Sequence, residues 1–221
     1  MREKKVSRLV LIIIGAFFLF LLSISFVIVN FYNSIFRMSR EQVSESFSNK
    51  VSQCKTISGC TLIPGDILIR KYMTQRIQYI DKPLHIFFTH VAFYLGDGKL
   101  FEVFGPEKRA EDDVQVLEFS DTDWVNNDIE NFVIIRPKNY SWKLDSIKKN
   151  LEFIAQGSNY RFGLPSWGPQ RVTCADVIFE QLYNKKVIEP KNIPEIVTPD
   201  YLFWLAVNDP GDFEIVGFNV Q

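Results

Sequence analysis

The stretch FFTHVAFYLGDGKLFEVFG, Phe87–Gly105, decides how the fold is read. Successive side chains of a strand point to opposite faces. Phe88, His90, Ala92 and Tyr94 therefore share one face, and Phe87, Val91, Phe93 and Leu95 the other. Gly96-Asp97-Gly98 is a hairpin turn, and Lys99 to Phe104 returns as a second strand. A three-residue loop pairs Leu95 with Lys99 and Ala92 with Glu102, which sets His90 and Glu102 on one face, a diagonal step apart. A two-residue loop sends Glu102 to the opposite face. The three-residue loop is preferred because a glycine takes the left-handed position it requires. In that register Glu102 accepts a hydrogen bond from the His90 ring and holds it in place. His90 is one of only 2 histidines in 221 residues.

Outward from the hairpin, Pro64-Gly65 punctuates the chain before a short strand, Asp66 to Lys71. Asn131 to Arg136 is another strand, closed by Pro137. Ser141 is placed to cap a helix running to about Gln156, with Leu144, Ile147, Leu151 and Ile154 at helical spacing and Gly157 at its end. Ser158 to Arg171 is a loop containing glycine, proline and aromatic residues. Thr173 caps a second helix, Cys174 to Tyr183, with Asp176 at the capping-box position. Thr198-Pro199-Asp200 starts a short third helix, and DFEIVGFNV adds a last strand. Strands first and helices later give an α+β domain with an antiparallel sheet packed against helices. Cys174 is the first residue of its helix. There the positive end of the helix dipole and the unpaired amides favour a thiolate, so a lowered pKa is expected. The competing reading is a small buried apolar residue.

Composition bounds the rest. Hydrophobic residues make up 47% and aromatics 14%, enough for a core and against disorder. The net charge of −1 gives no basic surface for nucleic acid. Four cations against Glu3 give residues 1–8 a net of +3, so the remainder carries −4. Leu9 to Tyr32 then runs for 24 uncharged residues, long enough as a helix to cross a hydrocarbon layer roughly 30 Å thick. A cleaved signal peptide usually has an apolar region of only about 7–15 residues, so a single uncleaved transmembrane anchor is favoured. The basic flank keeps residues 1–8 cytoplasmic, which puts everything beyond the anchor on the extracytoplasmic side. Residues 33–60 are polar and serine-rich and read as a stalk, partly helical, with the folded domain at 61–221. On an oxidising side Cys54 and Cys60 can close a short disulfide loop, leaving Cys174 alone. No CxxC pair exists and two histidines are too few, so no metal or other cofactor is expected.

PGDILIR, HVAFYLGDGKLFEV and TCADVIFEQL together resemble the circularly permuted branch of the NlpC-type papain-like superfamily, which includes the YiiX-like proteins and the lecithin:retinol acyltransferase relatives. TPDYLFW resembles a further element of the YiiX-like group, and the likeness spans about residues 61–205. It implies a permuted papain-like fold with Cys174 as nucleophile, His90 as general base and Glu102 as the orienting third member. It also implies a structural role for Asp66 and a place near the oxyanion for Tyr160. Where YiiX-like relatives read Cys-Ser-Glu-Leu, this chain has Cys174-Ala175-Asp176-Val177. Ala175 keeps the backbone N–H that an oxyanion hole uses. The implied activity is a thiol hydrolase or acyltransferase working on an amide or ester of a peptide or acyl-lipid beside the bilayer. Phe162, Leu164, Trp167 and the pair Phe87-Phe88 are candidates for an acyl groove, with ordinary packing as the alternative. A catalytically weak lipid- or peptide-binding module, or an anchored scaffold, are the competing functions. His85 and the acidic run Glu111–Asp113 take no assigned role.

Overall fold

The computed structural model describes residues 2–71, 86–104, 114–125, 131–138, 140–157 and 173–220, with side chains from residue 13 onward. The chain divides into two units, Met1–Ile35 and Phe36–Gln221. The first unit is one helix, α1 (Arg2–Ser34). Among the described residues only its segment Ile13–Ser34 is long and apolar enough to cross a membrane. Its large side chains, from Ile13 to Val29, are exposed. Ser23 donates its hydroxyl proton to the Leu19 carbonyl one turn back, so a polar group inside the apolar span has a partner within the helix.

The second unit is α+β. Among the described residues it holds one sheet of six strands: β1 (Ile67–Arg70), β2 (His90–Gly96), β3 (Lys99–Val103), β4 (Val114–Glu118), β5 (Phe132–Pro137) and β6 (Phe213–Asn219). The spatial order is β4-β3-β2-β1-β5-β6, and every neighbouring pair is antiparallel. The helices are α2 (Arg40–Phe47), α3 (Leu144–Gly157), α4 (Cys174–Asn184) and α5 (Pro199–Asn208). The strands read as nearly unbroken apolar runs because both sheet faces are covered. One face carries Ile67, Ile69, Val91, Phe93, Phe101, Val133 and Ile135 and meets Ile147 and Leu151 of α3, Ile178 and Leu182 of α4, and Leu202 of α5. The other carries Leu68, Ala92, Leu100, Phe132 and Ile134 under Trp124, Cys54 and Ile57.

The hairpin differs at its tip from the sequence expectation and keeps the expected register below it. Gly96 pairs with Lys99, so the turn is two residues, Asp97-Gly98. A bulge between Tyr94 and Gly96 then shifts the register, and Ala92 still faces Glu102. Gly96, Asp97 and Gly98 all have positive φ (94°, 50° and 74°), a conformation open to glycine and tolerated by Asp. The bulge absorbs the residue that a two-residue turn would otherwise put out of phase. Phe88 also departs from expectation. It precedes β2 and joins Phe87 in the helix-side core, its ring 5.2 Å from that of Phe203. Strand β4 escaped sequence reading because its VQVLE pattern is short and lies beside polar residues.

The segment 33–60, read from sequence as a stalk, belongs largely to the folded unit. Ser39 and Gln42 form a capping box at the start of α2, and Val43 and Phe47 are core residues. Phe47 stacks on Phe218 of β6 at 4.2 Å between ring centres. Two apolar anchors in a polar stretch were too sparse to signal burial. Cys54 and Cys60 are joined, with Cα atoms 5.2 Å apart, and a Cβ at Gly217 of β6 would collide with their sulfurs. Ser52 Oγ accepts from Phe218 N at 2.8 Å, so this loop lies against the edge strand β6.

The PGD turn before β1 is a structural knot. Gly65 has φ +100° and lies against the ring of Tyr140, whose hydroxyl donates to the Pro64 carbonyl. Asp66 is fully buried and receives Arg136 Nε at 2.7 Å, Arg136 Nη2 at 2.9 Å and Ile63 N at 2.9 Å. The acidic position thus ties β1 to β5. Arg136→Met leaves that carboxylate buried without its cation, which is expected to cost about 3 kcal/mol in urea unfolding. Replacing both Cys54 and Cys60 by Ala, which opens a loop whose ends are 6 residues apart, is expected to cost about 2 kcal/mol under oxidising conditions. The same loss should appear in the wild-type chain once it is reduced.

Candidate functional site

The hairpin register brings His90 and Glu102 together. His90 Nε2 lies 3.2 Å from Glu102 Oε1, and both residues are buried. Trp124 Nε1 donates to the same carboxylate oxygen. The indole also lies nearly parallel to the imidazole, with centroids 5.6 Å apart, and Phe104 does the same at 5.8 Å. Arg70, the cross-strand partner of His90 on β1, sets its guanidinium 4.2 Å from the Trp124 ring centre and donates from Nη1 to the Asp123 carbonyl at 3.1 Å. A carboxyl group that is only 1% exposed therefore has an imidazole and an indole N–H as hydrogen-bond partners.

Sequence reasoning missed Trp124 and Arg70. Trp124 sits in the polar run SDTDW, where an isolated large aromatic is a usable signal. It is fully buried within a single turn of 3-10 helix, Asp123–Val125. Arg70 becomes legible only through the β1–β2 register.

Cys174 opens α4 as expected. Thr173 is the N-cap, its hydroxyl oxygen accepting from Asp176 N at 3.1 Å. The same hydroxyl donates to Asp176 Oδ2 at 2.7 Å, while Asp176 Oδ1 accepts from Val197 N at 3.2 Å. The helix packs on the sheet face opposite His90, and Cys174 borders that core. The sulfur nevertheless reaches the end of β2. The backbone amide of Val91, one peptide beyond His90, lies close enough to favour the thiolate, as do the amides of Ala175 and Cys174 itself. The last β2–β3 pair toward that end is Ala92 with Glu102, so the sulfur stands just past the point where the two strands stop pairing.

The thiol itself behaves contrary to the sequence expectation. Burial, with a smaller contribution from the Asp176 carboxylate, pushes it up to about 12, although part of the residue stays accessible. Desolvation of the sulfur outweighs the helix-end amides that favour the anion. The resting site thus holds a neutral thiol.

Ala175 is buried, and its amide and that of Cys174 are the two of the first turn that favour the thiolate. Tyr160, Phe162, Leu164 and Trp167 lie outside the described residues, as do His85 and Glu111–Asp113. Phe87 and Phe88 are packed core rather than groove, 5% and 0% exposed, with their rings 4.8 Å apart. Among the described residues, no group of three His, Cys, Asp or Glu side chains could hold a metal. No protein family, curated protein or solved structure matches the chain.

Iodoacetamide labelling of Cys174 should rise steadily from pH 8 to pH 11 without a plateau, and at pH 8 run roughly fifty-fold slower than for a free thiol. A plateau below pH 8 would contradict a neutral resting thiol. A folded pKa raised above the unfolded one contributes stability that is intact below the unfolded thiol's value and is lost as pH climbs toward 12.

Proposed function

We propose that this chain is a membrane-anchored thiol hydrolase or acyltransferase of the circularly permuted papain-like kind, with Cys174 as nucleophile, His90 as general base and Glu102 as the residue that orients it. One observation carries the reading: His90 is fixed by Glu102 at the first residue of β2, and the helix-initiating Cys174 brings its sulfur to the amide next to His90. With Nε2 turned to Glu102, Nδ1 is the ring nitrogen that serves the thiol. The order His, Glu, Cys, with strands preceding the nucleophile helix, fits a permuted topology.

A neutral resting thiol makes His90 a general base in the strict sense. As the sulfur attacks the substrate carbonyl carbon, its proton passes to Nδ1 and negative charge collects on the carbonyl oxygen. The amides of Cys174 and Ala175 are placed to stabilise that oxygen. The imidazolium returns the proton to the leaving amine or alkoxide, the C–N or C–O bond breaks, and a thioester remains. Water, giving its proton to His90, releases the acid and restores the thiol in a hydrolase; an amine or alcohol does so in an acyltransferase. Amide or ester hydrolysis ranks first, on a peptide or acyl-lipid substrate.

The apolar helix Ile13–Ser34 serves in this reading as the anchor, with the N-terminus cytoplasmic and the second unit extracytoplasmic. The Cys54–Cys60 bond supports the oxidising side.

A p-nitrophenyl acyl ester should give a burst of about one equivalent per chain and a mass adduct on Cys174. Cys174→Ser and His90→Ala should abolish the adduct, and Glu102→Gln should slow its formation by about a hundredfold. The raised thiol favours a second reading, a lipid- or peptide-binding module with little turnover. Saturable binding of an acyl-lipid or peptide with no adduct at any pH up to 10 would select it and sink the enzyme.

A further inference from the structure

Asp200 is fully buried in the first turn of α5, yet its carboxylate does not cap its own helix. Thr198 does that, accepting from Tyr201 N at 3.3 Å. The carboxylate instead reaches out to two other segments. Oδ1 accepts from Phe88 N at 2.7 Å, and Oδ2 accepts from Phe87 N at 2.9 Å and from Met38 N at 2.8 Å. Three buried backbone donors from distant parts of the chain thus converge on one side chain. Buried amides must find acceptors, so this carboxylate decides where those segments run.

Phe87 and Phe88 lead directly into β2. Thr89 N is then taken by the Arg70 carbonyl at 3.0 Å, and His90 begins the strand. The neighbours that fix the imidazole, Glu102 on β3 and Trp124 on the turn Asp123–Val125, stand outside the segments whose amides Asp200 holds. A shift of the Phe87-Phe88 backbone therefore moves His90 relative to its partners rather than together with them. The third amide, Met38, lies in the segment just after the boundary between the two units. Thr198 adds a second tie there, its hydroxyl donating to the Phe36 carbonyl at 2.6 Å.

We propose that Asp200 is a positioning residue for His90, which sets the entry of β2 by holding the amides of Phe87 and Phe88 and links that entry to the segment at Met38. The proposal rests on the reading of His90 as the base of the site. It adds a remote carboxylate to the parts on which the site depends. An amide in place of the carboxylate offers one oxygen and an NH2 group to three donors, so at least one of the amides loses its acceptor and meets a donor instead.

The test reads the imidazole directly. The chain has 2 histidines, so ¹⁵N NMR of the full-length His85→Gln protein in detergent micelles reports His90 alone. The expected spectrum has separate Nδ1 and Nε2 signals, with a proton held on Nε2 facing Glu102. Asp200→Asn should lose those separate Nδ1 and Nε2 signals to averaged positions, and the acylation burst should slow at least tenfold. Asp200→Glu keeps the charge and moves it by one methylene; it should shift the signals in the same direction, by less. An Asp200→Asn protein that folds and keeps the wild-type imidazole signals would overturn the proposal and leave Asp200 a clamp of the fold alone. Should Asp200→Asn fail to fold, wild-type signals in Asp200→Glu would overturn it equally. The imidazole readout needs no turnover, so an inactive protein with displaced signals would count against the thiol chemistry and not against Asp200.

Discussion

The register between β2 and β3 is the constraint on which the site depends. Side chains alternate strictly along a strand, so a slip of one residue would move Glu102 into the helix-side core and leave His90 on the face of Phe101 and Val103, whose side chains offer no acceptor. The chain secures the register with a bulge. Gly96 takes φ +94° and its missing side chain makes room for Pro64, while Asp97-Gly98 closes a tight turn. The turn and the bulge each displace the pairing by one residue, and the two displacements cancel. Glu102 then stays on the face where Trp124 covers the imidazole.

A sheet covered on both faces divides the site between two environments. His90, Glu102 and Trp124 belong to the smaller face, while Cys174 arrives with a helix that packs on the larger one. They approach each other at the end of β2, where the pairing with β3 has stopped. Burial favours the protonated sulfur, and in the proposed reaction the helix-end amides serve a charge that develops during attack rather than one present beforehand.

Buried carboxylates hold the frame in two different ways. Asp66 meets a bidentate arginine, a pairing of matched charge and geometry that joins β1 to β5. Asp200 meets only amides, and burial pushes its carboxyl up to about 6 against their pull. The first ties together two neighbouring strands. The second gathers segments far apart in sequence, and the strand bearing His90 starts from one of them.

The sequence by itself determined the elements whose signals are local. Alternation marked the strands of the hairpin, Thr173 and Thr198 marked two helix starts, and the pair Cys54 and Cys60 marked a short loop that could close. It also led to His90 and Glu102 on one face, but through a three-residue turn; the structure reaches that register with a two-residue turn and a bulge that alternation does not announce. Tertiary structure alone decided the rest. Trp124 and Arg70 join the site through contacts across strands and turns that no periodicity encodes. Val43 and Phe47 enter the core although they sit in a polar stretch, because burial depends on what a face meets and not on average composition. The sulfur shows the same limit most sharply. Its position at a helix start is a local fact and favours the anion, while its desolvation is set by everything packed around it, and the larger of the two effects wins.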